Sequence, residues 1–297
     1  MKILMSLIKR NVKLFFKDKG MFFTSLIPPA ILLVLYATFL GNVYKDSLLS
    51  GLPAGIEISE RLLNGLVGSQ LTSSILAVSC VTVAFCSSFL SVQDKANGSL
   101  KDFTVSPVKS WQLSLGYYVA NLLSTLIICF FAAAICFIYV GVIGWYIPFS
   151  DVVLLLLDII LLSLFGTALA SIINRFLSTQ GQISAVGTII SSGYGFISGA
   201  YMPISSFADG LQKVISFLPG TYGTSLMRNH AMGGALAEMQ KEGVPSEAID
   251  ALKDVLDCNL YFFENKVSEP MMYLILCGSV AILLGIYVAL NVKRKSK

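Results

Sequence analysis

Asp94-Lys95-Ala96-Asn97-Gly98-Ser99-Leu100-Lys101-Asp102-Phe103-Thr104-Val105-Ser106-Pro107-Val108 is a short polar stretch set between two long apolar runs, Leu71–Ser91 and Leu113–Tyr139. An acid–base pair leads into a glycine and a short amphipathic turn, and Ser-Pro closes the stretch before the next apolar run. Each flanking run reaches the ~20 residues that a helix needs to cross the hydrocarbon core of a bilayer. The stretch therefore reads as a tight loop, 93–111, joining two membrane spans.

The rest of the chain extends this pattern. Apolar residues make up 55% of the 297 residues and charged residues 13%, about half the charged share of a soluble domain. Apolar blocks fall at 21–44, 70–91, 113–140, 152–173, 183–201 and 271–291. In hydrocarbon every backbone amide needs an internal partner, so runs of this length are expected to be helices. The expectation is an all-α membrane protein with six spans, forming one membrane domain over 1–297. The first run reads as a retained span, because a basic stretch precedes it and no small-residue cleavage site follows it. Pro28-Pro29 within it is expected to bend or break the helix.

The net charge is +4, but its distribution is uneven. Lys2, Lys9, Arg10, Lys13, Lys17 and Lys19 precede the first span, and Lys95, Lys101 and Lys109 lie between the second and third. Arg175 follows the fourth span and Lys293, Arg294, Lys295 and Lys297 follow the sixth, whereas the short loops on the opposite side hold only Lys45 and Arg61. The positive-inside rule then places both termini in the cytoplasm. Residues 2–19 read as an interfacial amphipathic helix. Lys9, Arg10, Lys13 and Lys17 share one face, and Leu4, Leu7, Ile8, Val12 and Phe15 the other.

The loop 93–111, the N-terminal basic helix and the segment after the fifth run resemble, in that order, the ABC-2-type transporter permeases. In the third segment Gly199-Ala200-Tyr201-Met202-Pro203 leads through Ser216-Phe217-Leu218-Pro219-Gly220 to Arg228. The resemblance implies a type V exporter-like bundle of six transmembrane helices with an N-terminal elbow, in which 93–111 docks on a separate ATPase and 202–269 forms an extracellular cap. Asp94, Lys95, Gly98, Lys101, Asp102, Phe103 and Pro107 would be the ATPase-coupling residues. It further implies outward transport across the cell membrane by a subunit that is not itself an enzyme. ATP and Mg would be bound by cytoplasmic ABC ATPase partners, with no cofactor in this chain. A second permease subunit, identical or homologous, and membrane lipid complete the expected partners; nucleic acid is not among them.

Two patterns within the spans leave packing and pathway roles open. The second span is rich in hydroxyls, including Thr72 and Ser79, which suit close helix contacts or a substrate path. In the fifth, Gly187, Ser191, Gly195 and Gly199 recur every fourth residue and would align on one helix face. Ser192-Gly193-Tyr194-Gly195 has the look of a channel filter, but it sits inside an apolar run with no pore-loop setting.

Asp158 is the one acid deep within an expected span, and a carboxylate there is a candidate substrate or proton site or else a structural hydrogen-bonding group. A proton- or ion-coupled secondary transporter using Asp158 is therefore the alternative function. A membrane enzyme is disfavoured. No Gly-x-x-x-x-Gly-Lys-Ser/Thr, His-Glu-x-x-His or Gly-x-Ser-x-Gly is present, and the single histidine, His230, reads as a loop residue. Cys80, Cys86, Cys129, Cys136 and Cys277 fall in spans as small packing residues, leaving Cys258 alone outside them. Residues 246–256 read as a capped amphipathic helix in the outer segment.

Overall fold

A computed structural model describes residues 2–50, 58–105, 108–263 and 265–292. The chain begins with α1 (Lys2–Lys17), breaks at Asp18, and continues as α2 (Lys19–Leu35), a π-helical turn over Tyr36–Leu40, and α3 (Gly41–Ser50). The long α4 (Glu60–Ala96) follows, then the short α5 (Ser99–Val105), α6 (Ser110–Ile143), α7 (Phe149–Phe176) and α8 (Gln180–Ile197). The segment after α8 holds α9 (Asp209–Ile215), α10 (Pro219–Lys241) and α11 (Ser246–Val255). A small antiparallel hairpin, β1 (Leu260–Phe262) with β2 (Asn265–Val267), precedes the final α12 (Glu269–Val292).

Among the described residues, five helices are long and apolar enough to cross a membrane: Lys19–Asp46, Glu60–Ala96, Ser110–Ile143, Phe149–Phe176 and Glu269–Asn291. The expected fifth span, 183–201, corresponds to α8, which is shorter and more polar than these. Its 18 residues extend about 27 Å at 1.5 Å per residue, just under a ~30 Å hydrocarbon core.

The bundle is organised around α4, which packs against α2, α6, α7, α8 and α10. With 37 residues it is about 55 Å long. It starts ten residues before the apolar run that marks it in the sequence. Hydropathy registers contact with lipid, whereas the helix continues as long as its side chains pack. Leu62, Leu63, Leu66 and Val67 do so at helical spacing, and Ser59 caps the start by accepting from the Leu62 N–H at 3.3 Å.

The expected break at Pro28-Pro29 does not form. Both prolines lie inside α2, buried against the bundle, and the helix continues through them to Leu35. The elbow instead separates from the span at Asp18, whose Oδ1 accepts from the Met21 N–H and caps α2. The 246–256 helix forms as α11, but Pro245 stands at its cap and Ser246 is already in its first turn. Ile249, Leu252 and Leu256 are buried, while Val255 faces out.

Candidate functional site

At the end of the bundle that carries α5, one arginine joins four elements. The buried stripe of α1 is Leu7, Asn11 and Phe15, spaced by four residues and turned toward α6 and α4. This orientation leaves Lys9, Lys13 and Lys17 exposed and brings Arg10 over the end of α4. The Arg10 guanidinium donates to both oxygens of Asp94, at 2.7 and 3.1 Å. Its carbon also lies 5.1 Å from the centre of the Phe103 ring on α5. Asp94 in turn accepts from the Tyr117 hydroxyl of α6 at 2.5 Å. The hydrogen bonds to Asp94 raise the pKa of Arg10 above its ordinary value, against the opposing effect of partial burial. A guanidinium is suited to this junction because it can grip a carboxylate with two N–H groups while its flat face lies on an aromatic ring.

The residues expected to couple to an ATPase thus separate into two groups. Asp94 and Lys95 occupy the last turn of α4 rather than a loop. Asp94 is buried in the Arg10 junction, and the Lys95 amine donates to the carbonyls of Asn174, Arg175 and Leu177 at 3.0–3.2 Å. Those carbonyls close α7, so the cation sits at the negative end of that helix. Gly98 makes the turn from α4 into α5 at φ 79°, a conformation that costs glycine nothing. Lys101, Asp102 and Phe103 lie on α5, where Asp102 and Val105 are exposed, Val105 by 88%. Pro107 lies outside the described residues.

The opposite end is held by α10. Ser225, Arg228 and Asn229, spaced to share one face of that helix, all reach the turn at Asp257-Cys258. Ser225 and Asn229 donate to the Cys258 carbonyl at 2.9 and 2.7 Å. Arg228 pairs with Asp257 at 2.9 Å and also donates to the carbonyl of Gly199. The same Asp257 oxygen accepts from the Ile204 N–H at 2.9 Å. One arginine therefore fixes the turn after α8, the 3₁₀ turn that follows it and the turn after α11.

Two residues further along α10, His230 meets Asp158. The carboxylate is wholly buried and bonds His230 Nδ1 at 2.6 Å and the Tyr273 hydroxyl at 2.8 Å. This trio links α7, α10 and α12. His230 is consequently a buried helical residue and not part of a loop.

The remaining sequence candidates have packing surroundings. Thr72 and Ser79 are buried inside the bundle, and Ser79 bonds back to the Ile75 carbonyl. The Gly187–Gly199 ladder does not form a single contact face. Gly187 approaches Phe89 of α4, but a side chain at Gly195 would meet the ring of Tyr201, only six residues on. The Tyr201 hydroxyl reaches the Ser191 carbonyl at 3.5 Å. Gly199 lies past the helix end, in a turn at φ 75°. The four-residue period of the sequence runs past Ile197, where α8 stops.

A family model described as ABC-2 family transporter protein matches residues 61–287, from the first turn of α4 into the last turns of α12. The chain belongs to the ABC-2 transporter family. It is a multi-pass permease, the membrane component of an ABC transporter, a type of subunit that works with an ABC ATPase and is not itself the catalyst. No curated protein matches this ABC-2 permease. Arg10 and the rest of α1 lie before the matched region, yet Arg10 is tied to Asp94, Phe103 and Tyr117 within it.

Proposed function

We propose that this permease exports its substrate outward across the cell membrane, driven by ATP that a partner ATPase binds with Mg and hydrolyses, and that α5 is the helix docking on that ATPase. The observation that carries the reading is the Arg10 junction. Through it, a displacement of α5 reaches the elbow by way of Phe103 and the ends of α4 and α6 by way of Asp94 and Tyr117. The exposed side of α5, with Asp102 and Val105, is the docking face. Asp94 and Lys95 act behind it as positioning residues, and Lys101 and Pro107 complete the coupling segment. With α8 as a sixth crossing, both termini and α5 are cytoplasmic, and α9–α11 with the hairpin form the outer cap.

A second permease subunit pairs with the first along the outward face of α8, where Ser184, Thr188 and Ser192 are exposed at four-residue spacing. A proton-coupled carrier built on Asp158 has less support. That carboxylate is wholly buried and its hydrogen bonds go to His230 and Tyr273.

The test is reconstitution of the permease with its ATPase in proteoliposomes. Val105→Glu on the docking face is expected to abolish ATPase binding in pull-down, while the permease keeps its elution volume and helix content. Full binding and ATP-driven transport by that variant would exclude α5 as the dock.

A further inference from the structure

An apolar patch outside the spans surrounds the joint between α9 and α10. Val214, Phe217 and Phe263 are each more than half exposed, and Leu218 and Phe262 more than a third. The Phe217 ring meets those of Phe262 and Phe263 edge-on, at 5.2 and 6.1 Å between centres. The hairpin that carries these rings has two unlike faces. Leu260 and Val267 pair on the buried face, with Phe262 next along it. Tyr261 and Lys266 pair on the other, where the Tyr261 hydroxyl donates to Asp254 at 3.0 Å. Polar groups are thus gathered on one side and the rings on the opposite side.

The depth of this patch follows from its neighbours. Arg175, in the last turn of α7, donates to Asn291 near the end of α12, so the two spans end together on the α5 side. Asp158 and Tyr273, bonded at 2.8 Å, align them again farther along. Beside α7, α10 places His230 on Asp158, Gly223 against Leu162 and Gly220 against Phe165. Phe165 is ten residues from Arg175, about 15 Å along the helix and half of a ~30 Å hydrocarbon core. Pro219 therefore starts α10 near the middle of the membrane, and Phe217 and Leu218 lie just before it. Ile215, Leu260 and Val267 share a buried core with Met272 and Leu276, which holds the patch alongside α12, whose Leu274 is exposed. Phe263 also opens the two-residue connection of the hairpin, at φ 55°, where Asn, Asp or Gly is usual. A bulky side chain is an outlier there, and apolar surroundings for its ring offset the cost.

We propose that the α9–α10 joint and the hairpin tip are immersed in the acyl chains of the leaflet opposite α5, with Phe217, Phe262 and Phe263 in contact with lipid. Lys213 and Lys266, exposed beside the patch, have stems long enough to carry their charges toward the headgroups; Glu264 lies outside the described residues. Arg228 grips this segment from within, through Gly199 and Asp257, and the bilayer supports it from without. The cap is then partly sunk in the membrane. The patch needs α7 and α12 as spans but neither the partner ATPase nor the docking role of α5, so each proposal can fail without the other.

The test is tryptophan fluorescence of the full chain in liposomes, after Trp111→Phe and Trp145→Phe remove both native tryptophans. Single reporters are then placed on the patch by Phe217→Trp or Phe263→Trp, and on the exposed start of α11 by Ser246→Trp. Phosphatidylcholine brominated on its acyl chains is expected to quench both patch reporters several-fold more than the reporter at 246, and aqueous iodide the reverse. Two patch reporters guard against misfolding of either one, and each variant should keep the helix content and elution volume of its parent. Iodide quenching at the patch as strong as at 246, with none by the brominated lipid, would overturn the proposal by placing the cap in water. Shielding of both patch reporters from both quenchers would overturn it too, by showing that a second copy of the chain covers the patch.

Discussion

The two arginine–aspartate pairs of this permease have nearly the same closest approach and opposite surroundings. Arg10–Asp94 closes at 2.7 Å and Arg228–Asp257 at 2.9 Å, but their side chains are 32% and 9% exposed in the first pair and 1% and 5% in the second. Distance alone would rank them equal. Solvent separates them: a partly wet pair contributes about 1 kcal/mol or less, whereas removing one partner of a buried pair strands a charge at a cost of about 3–5 kcal/mol. The wet pair joins the elbow to the end of α4 on the side proposed to meet an ATPase, where contacts must differ between two states. The dry pair clamps three turns together and suits a part of the molecule that stays fixed.

The largest expected effect tests the dry pair. Arg228→Leu should lower stability by about 3–5 kcal/mol, seen as loss of monodisperse protein and a sharply reduced melting temperature. Adding Asp257→Asn, which retains an acceptor for the Ile204 N–H, should recover much of the loss. A single variant that melts like wild type would erase the distinction between the two ends. Next in size is Asp158→Leu, which strands His230 Nδ1 and the Tyr273 hydroxyl at about 1–3 kcal/mol for each group. Asp158→Asn keeps a hydrogen-bonding group for both and should cost less than half as much. Equal melting temperatures for the two variants would mean that the trio contributes nothing to the rigid end.

The sequence reveals these features unevenly, for physical reasons. The spans at 113–140, 152–173 and 271–291 are legible because lipid-facing helices must be apolar throughout, and α6, α7 and α12 follow them within a few residues. The start of α4 is not legible, since Asn64, Gly65, Gly68 and Ser69 stand between it and the apolar run while the leucines among them still pack. Asp158 stands out as an acid among apolar residues, but nothing nearby in the chain identifies a partner 72 residues away. His230 looks like part of a loop because α10 is neither apolar throughout nor amphipathic. It is enclosed by other helices on several sides, and small residues such as Gly220, Gly223 and Ala231 permit that closeness. Asn11 could have been noticed, as a polar residue four positions from both Leu7 and Phe15 in an otherwise apolar stripe.

A smaller effect on stability, but a larger one on transport, is expected from the wet pair. Arg10→Ala should change the melting free energy by about 1 kcal/mol or less. In the reconstituted complex it should lower substrate moved per ATP hydrolysed several-fold, because α5 loses its link to the elbow. Arg10→Lys keeps the charge but lacks the two-pronged grip and the flat face over Phe103, and should fall between alanine and wild type. A loss of stability matching that of Arg228→Leu would show that the α5 end is held as rigidly as the cap.

The smallest change compares the two ends through one thiol. Cys258 follows Asp257 in the clamped turn, and burial pushes its thiol up to about 12. At pH 8 roughly one such thiol in ten thousand would be ionised, against about a quarter for a free cysteine, and the thiolate is the form that reacts. Peptide mapping after a maleimide pulse should therefore find Cys258 labelled orders of magnitude more slowly than a cysteine placed on the exposed cap surface by Ser246→Cys. Arg10→Ala should leave that rate unchanged, because its junction does not include the cap. The conservative variant Arg228→Lys, which keeps a cation but loses one of the two grips, should accelerate labelling by loosening the turn before the protein as a whole unfolds. Fast labelling of Cys258 in wild type, or equal acceleration by the Arg10 and Arg228 variants, would show that the cap opens as readily as the α5 end, and the contrast drawn from the two exposures would fail.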